Sequence, residues 1–316
     1  MRRSPQAERL AFAALLAGAL CIAFAPIFVR ESSLAPVATA FYRMLLALPL
    51  FALWASFERP PADSAEGRPS GRTTVLLLVG SGLFFAGDLA VWHWSIAYTS
   101  VENATLLANL APVVVTAYAW VVLKERVSGR FLVGLVLALV GAGLLVRASF
   151  GAGGRHLLGD LLGVATAFFY AGYLLTVKQL RVFLPTARLM GASSLVSCIV
   201  LLGLSVAFRD ALLPGSVRGW VVLIALAWLG QVAGQGLIAF GLKRLPASFS
   251  SVTLLVQPAA AGVLAWILLG ESLSWWQALG GMAVLGGILL ARDAVRPAPT
   301  RPPAPTPTAA GGVAGR

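Results

Sequence analysis

Nine side chains draw attention because they are polar or aromatic and lie inside long apolar stretches: Arg43, Asp88, Trp92, His93, Asn109, Tyr170, Gln231, Gln235 and Gln257. An ionisable group in hydrocarbon is costly, so it persists where it pairs, binds a solute or moves a proton. Counted at about 1.5 Å per helical residue from the ends of their stretches, Arg43 and Asp88 share a depth of roughly 10–14 Å. Two roles are open to them. They can form a buried ion pair that locks two helices, or Arg43 can meet an anionic group of a solute while Asp88 takes up a proton. Trp92 lies four residues after Asp88 and so shares its helix face. His93 titrates ordinarily near pH ~6.5, which suits proton coupling. It also lies close to the end of its stretch, where a hydrogen bond to an interfacial loop is the competing role.

The amides sit beside helix breakers. Asn109 lies one turn before Pro112, and Gln257 directly precedes Pro258. Proline frees a backbone carbonyl and bends a helix. An amide at such a bend either lines a cavity or bonds a neighbouring helix. Gln231 and Gln235 are four apart on one face, with Gly230 and Gly234 one position behind, where small residues let helices approach. Tyr170 and Tyr173 are three apart and offer either a stacking surface for a planar solute or simple packing. The sequence contains no HExxH, GxSxG or P-loop pattern, so an ATP-driven pump is not expected. Cys21 and Cys198 are isolated in apolar stretches and read as small packing residues, and no cofactor or metal is expected.

Elements that hold such residues must be membrane helices. The chain has 316 residues, of which 59% are hydrophobic and 11% charged, against about 25% charged in soluble domains. Ten apolar runs follow one another: 10–29, 34–57, 73–97, 102–123, 129–146, 158–177, 189–208, 218–240, 248–269 and 274–291. Each is long enough to cross a bilayer and none alternates as a barrel strand would. The net charge of +12 comes from 24 Lys and Arg that cluster between the runs, so it speaks for topology and against nucleic-acid binding. With the N-terminus in the cytoplasm, eighteen of them fall on the cytoplasmic side, five fall on the other, and Arg43 lies within a run. Both termini are therefore expected in the cytoplasm. Residues 297–316, rich in Pro, Ala and Gly, are expected to form a disordered tail.

The chain also repeats itself. Pro112 and Pro258, Trp120 and Trp266, Glu125 and Glu271, Gly134 and Gly280, and Gly141 and Gly287 are all 146 residues apart. Five runs separate the copies, and an odd number turns the second copy over in the membrane. Inverted repeats are typical of transporters that expose one site to the two sides in turn. The expected fold is all-α, with ten transmembrane helices in two inverted five-helix repeats over residues 1–147 and 158–292. A lipid-modifying enzyme and a structural or receptor-like membrane protein are the alternatives. The first would want clustered Asp, His, Ser or Arg near one interface, and the second would not need the repeat.

The two Pro…Leu-x-Glu segments that end at Glu125 and Glu271, each followed by a Gly-containing apolar run, resemble the EamA-type members of the drug/metabolite transporter superfamily. Arg43 and Gly159-Asp160-Leu-Leu match as well. The resemblance covers about residues 8–292. It implies a central cavity between the halves, with the fifth and tenth helices at the periphery. It also implies secondary transport of amino acids or other small metabolites, often outward, in the cell inner membrane. The proton motive force is the usual energy source. The implied partners are a small-molecule substrate and the lipid bilayer, with protons as a candidate coupling ion.

Overall fold

The computed structural model describes residues 5–58, 70–98, 107–146, 157–269 and 275–295, and among these every regular element is helical. The first apolar run forms Pro5–Ala23 and Ala25–Glu31, and the second forms Pro36–Leu45 and Leu48–Phe57. Gly71–Tyr98, Ala111–Val121, Gly129–Val146, Leu157–Leu180 and Thr186–Ala207 carry the third to seventh runs. The eighth is Val217–Ala225, a π-helical segment Leu226–Gln235 and Gly236–Leu242. The ninth is Ala247–Thr253 and Val256–Leu269, and the tenth is Trp275–Val295. Seven of the described helices are long and apolar enough to cross a membrane, and Ala111–Val121, Gly129–Leu144 and Ala278–Arg292 are shorter apolar helices. The fourth run is short here because residues 99–106 lie outside the described part, as do Glu271 and the tail 297–316.

The breaks follow proline. Pro26, Pro36, Pro49 and Pro112 each occupy the first turn of the helix they begin, where a missing N–H costs nothing. The single runs read from composition are thus jointed rods. Two exposed non-glycine residues, Lys124 (φ 55°) and Arg209 (φ 57°), adopt the left-handed conformation. They turn the chain so that the next N–H closes the preceding helix: Glu125 N–H donates to Ala119 O (2.9 Å) and Asp210 N–H to Ser205 O (2.9 Å).

Large apolar side chains cover the outside of the bundle, among them Leu76, Val136, Phe168, Ile199, Val206 and Ile267. A soluble monomer does not tolerate so continuous an apolar surface, whereas lipid requires it. This is a multi-pass membrane protein. Small residues hold the helices together. A Cβ on Gly134 would lie 2.7 Å from Gly287 O, and one on Gly141 would lie 2.6 Å from Gly280 O. The contact is reciprocal, since Gly134 and Gly280, like Gly141 and Gly287, are the pairs 146 residues apart. Such crossing of partners is what a two-fold relation between the fifth and tenth runs demands. The other helix pairs obey the same rule: the first run packs on the eighth as the third does on the sixth, the first on the ninth as the fourth does on the sixth, and the second packs on the seventh.

Gly287→Ala should therefore push the fifth and tenth runs apart and cost about 1–3 kcal/mol, the range for overpacking. Among the described residues, a Cβ on neighbouring Gly286 would meet only Leu137 Cδ2 at 3.7 Å. Gly286→Ala should leave the detergent melting temperature unchanged, so the two variants measured side by side check the assignment.

Candidate functional site

The second run carries Arg43 in the last turn of Pro36–Leu45, with its side chain buried. Its guanidinium does not pair directly with Asp88. Arg43 Nε donates to Gln231 Oε1 (3.2 Å), and Gln231 Nε2 donates to Ser194 Oγ (3.2 Å). Arg43 also lies over the Phe85 ring, 5.7 Å from its centroid. Gly230 packs beside it: a Cβ there would be in ordinary contact, 3.9 Å from Arg43 Cζ. The locking ion pair that matching depth allows is thus replaced by a charge-to-amide bond, because the π-helical segment turns Gln231 toward Arg43.

Two adjoining cavities share Arg43, Trp92, Asn109 and Gln257. The larger, about 380 Å³, is walled mainly by apolar residues such as Ile22, Pro26, Val29, Leu226 and Ala261. The smaller, about 170 Å³, adds Asp88, Tyr170, Gln235, Thr166 and Phe85. Both lie in the half of the bundle nearer the Glu31–Leu34 loop. Arg43 and Asp88 therefore face one space from different helices without touching. Trp92 shares the smaller cavity with Asp88, as their four-residue spacing requires.

The tyrosines divide their labour. Tyr173 is fully buried, stacks on Phe85 with centroids 4.5 Å apart, and donates to Gln235 Oε1 (3.3 Å). Tyr170 lines the smaller cavity together with Gln235 and Gln257. Asn109 sits in the turn 109–110 that interrupts the fourth run, and Gln257 sits in the first turn of Val256–Leu269, just after the turn 254–255 in the ninth. Among the described residues, Asn109 Nδ2 and Gln257 Nε2 are buried donors without a hydrogen-bond partner. A buried donor left unpaired costs about 1–3 kcal/mol, so two of them beside one cavity mark a place for an acceptor.

Seven of the nine residues singled out from the sequence thus come together around the two cavities. Gln231 stands behind Arg43 as its support. The side chain of His93 lies outside the described part, although its backbone belongs to Gly71–Tyr98. Ser194 and Phe85, which fix Arg43, were not legible in the sequence. A run of serines at 193, 194 and 197 in an otherwise apolar helix was the available signal for the first.

The chain has relatives. A solved crystal structure superposes with a TM-score of 0.72 over 92% of this chain and 99% of its own, at 17% identity, a likeness of fold. An uncharacterized transporter of Archaeoglobus fulgidus is 29% identical over 71% of this chain and 77% of its own length. A probable terminal-alkyne amino-acid exporter of Streptantibioticus cattleyicolor is 26% identical over 71% and 74%. The pseudopaline exporter of Pseudomonas aeruginosa is 22% identical over 69% and 73%. The model of the EamA-like transporter family matches twice, at residues 9–147 and 157–292, and together these stretches take in every helix that lines the cavities; the chain belongs to the EamA-like transporter family.

Proposed function

We propose that this protein is a secondary exporter of small zwitterionic metabolites, amino acids or close relatives of them, working by alternating access in the cell inner membrane. The observation that carries the reading is the separation of charge. One cation and one carboxylate face a common space unpaired with each other, next to two unsatisfied amide donors. A zwitterion answers all of these at once. Its carboxylate meets Arg43 with Asn109 or Gln257, its ammonium meets Asp88, and an apolar side chain fills the larger cavity. The site moves a solute rather than converting it, and outward movement agrees with the exporters among the relatives.

The architecture we infer is ten membrane helices in two inverted repeats, residues 1–147 and 158–292, with both termini in the cytoplasm. Three lines of support meet here: the double family match, the reciprocal glycine contacts and the paired helix packing. The basic end of the bundle then faces the cytoplasm, as the distribution of Lys and Arg requires, and the cavities lie toward the outside.

Counterflow of labelled amino acids in proteoliposomes tests the function, with saturable exchange as the expected result. Arg43→Ala should cut exchange about 10- to 100-fold, the value of one hydrogen bond to a charged group, while folded yield is kept. Exchange that survives in this variant would remove Arg43 from the site. Asp88→Asn should likewise cut exchange, because the ammonium loses its carboxylate partner; counterflow kept while gradient-driven accumulation is lost would instead make Asp88 a proton carrier and take it out of the ammonium's site.

Asn109→Leu and Gln257→Leu separate binding from stability. Each deletes an unpaired buried donor, so the melting temperature should hold or rise, by about 1 kcal/mol of stability at most, while exchange falls. A lower melting temperature would show these amides to be structural.

A further inference from the structure

At the basic end, away from the cavities, two carboxylates cross from one half of the chain to the other. Glu58 follows the second run, and its Oε2 accepts the Ala187 N–H (2.8 Å) in the first turn of Thr186–Ala207. Glu125 follows the fourth run. Its Oε1 accepts the Ala247 N–H (3.0 Å), and its Oε2 accepts the Ser248 N–H (3.4 Å) and hydroxyl (2.7 Å) at the start of Ala247–Thr253. Each receiving helix begins after a Leu-Pro pair, Leu184-Pro185 or Leu245-Pro246. Proline cannot carry a side-chain oxygen back to the open N–H groups of its own helix, so those groups need an acceptor from elsewhere. In both cases the other half supplies it.

The hydrogen bonds of Arg181 differ. Its Nε donates to Ala239 O (3.0 Å) and its Nη1 to Leu184 O, within the second half. Burial draws Arg181 down to about 10, so it stays charged at neutral pH, and the negative charge of Glu58 works against that shift. Behind the carboxylates the packing is closed: Ala247, Ser248, Ser250 and Ser251 are all buried.

We propose that Glu58 and Glu125 are paired latches that hold the basic end shut while the cavities are accessible from the other end, and that both must release for the solute to pass. They are positioning residues, since neither lines the cavities. The proposal rests on the alternating-access reading, but its test needs no substrate.

In a Cys21→Ala, Cys198→Ala background, two reporters report on the two ends of the full chain in membrane vesicles. Ser251→Cys is buried at the basic end, and Ala261→Cys lines the larger cavity. Maleimide labelling of Ser251→Cys should rise on the order of tenfold in Glu58→Ala, the effect of losing one charge-assisted hydrogen bond from a two-state balance, and by at least as much in Glu125→Ala, which loses three. Labelling of Ala261→Cys should fall in the same proteins. Where an alanine variant does not fold, Glu125→Gln and Glu58→Gln carry the test, with a smaller shift in the same opposed directions. Labelling that rises at both reporters together, with a lower melting temperature, would reduce the carboxylates to structural braces and overturn the proposal, as would unchanged labelling. Opposed shifts without amino-acid counterflow would keep the latches and move the search to another solute.

Discussion

A backbone in hydrocarbon has no water to bond, and that constraint decides where this chain can be irregular. Every interruption caused by proline leaves carbonyls or N–H groups without partners in their own helix. Several of these interruptions adjoin the cavities, where water or a solute can answer the open groups. The same places become the walls of the cavities: Pro26, Pro36 and Pro258 line the larger one, and Asn109 and Gln257 lie at the breaks of the fourth and ninth runs. The cavity and the jointed helices are thus one feature. A rod without proline could pack more closely, as the fifth and tenth runs do through their glycines, but it would leave nothing to line a site.

Within that frame Arg43 governs the polar arrangement at the cavities. A guanidinium cannot be deprotonated at any accessible pH, so its charge must be answered inside the protein. Gln231, Ser194 and the face of Phe85 answer it from three helices, and the π-helical turn around Gln231 exists where that answer is needed. π segments are uncommon and gather at functional sites. Here the segment also places Gln235 against Tyr173 and the smaller cavity.

How much of this was legible beforehand depends on what each feature needs. Helical class and membrane residence rest on composition and on the length of the apolar runs, which a linear sequence carries in full. Arg43, Asp88, Trp92, Asn109, Tyr170, Gln235 and Gln257 were visible because a polar group in an apolar run is costly wherever it lies. The partners were not. Depth along two helices says that Arg43 and Asp88 can meet, but rotation about the helix axis decides whether they do. What Arg43 meets instead, Gln231, is presented by a π segment that has no sharp sequence signature, only Gly230, Gly234 and Gly236 nearby. The reach of Glu125 to Ser248 was equally hidden, because it joins residues 123 positions apart across the two halves.

The duplicated frame carries an unequal site, and the inequality has a physical sense. Both charged residues at the cavities, Arg43 and Asp88, belong to the stretch 9–147, while Tyr170, Gln231, Gln235 and Gln257 belong to 157–292. Across the division, then, charge meets neutral amide or phenol. Removing one partner of a buried ion pair costs about 3–5 kcal/mol, because a bare charge is left in a poorly polarisable place. A hydrogen bond from a charged group to a neutral partner is worth about 1.5–3 kcal/mol and exchanges readily for a bond to water or solute. On the alternating-access mechanism proposed above, two halves that part and rejoin in each cycle are better joined by the second kind of contact. Had gene duplication kept a charge of opposite sign in each half at this level, the resulting pair would hold the halves in one state; a charged half facing a neutral one leaves the charges free for a solute.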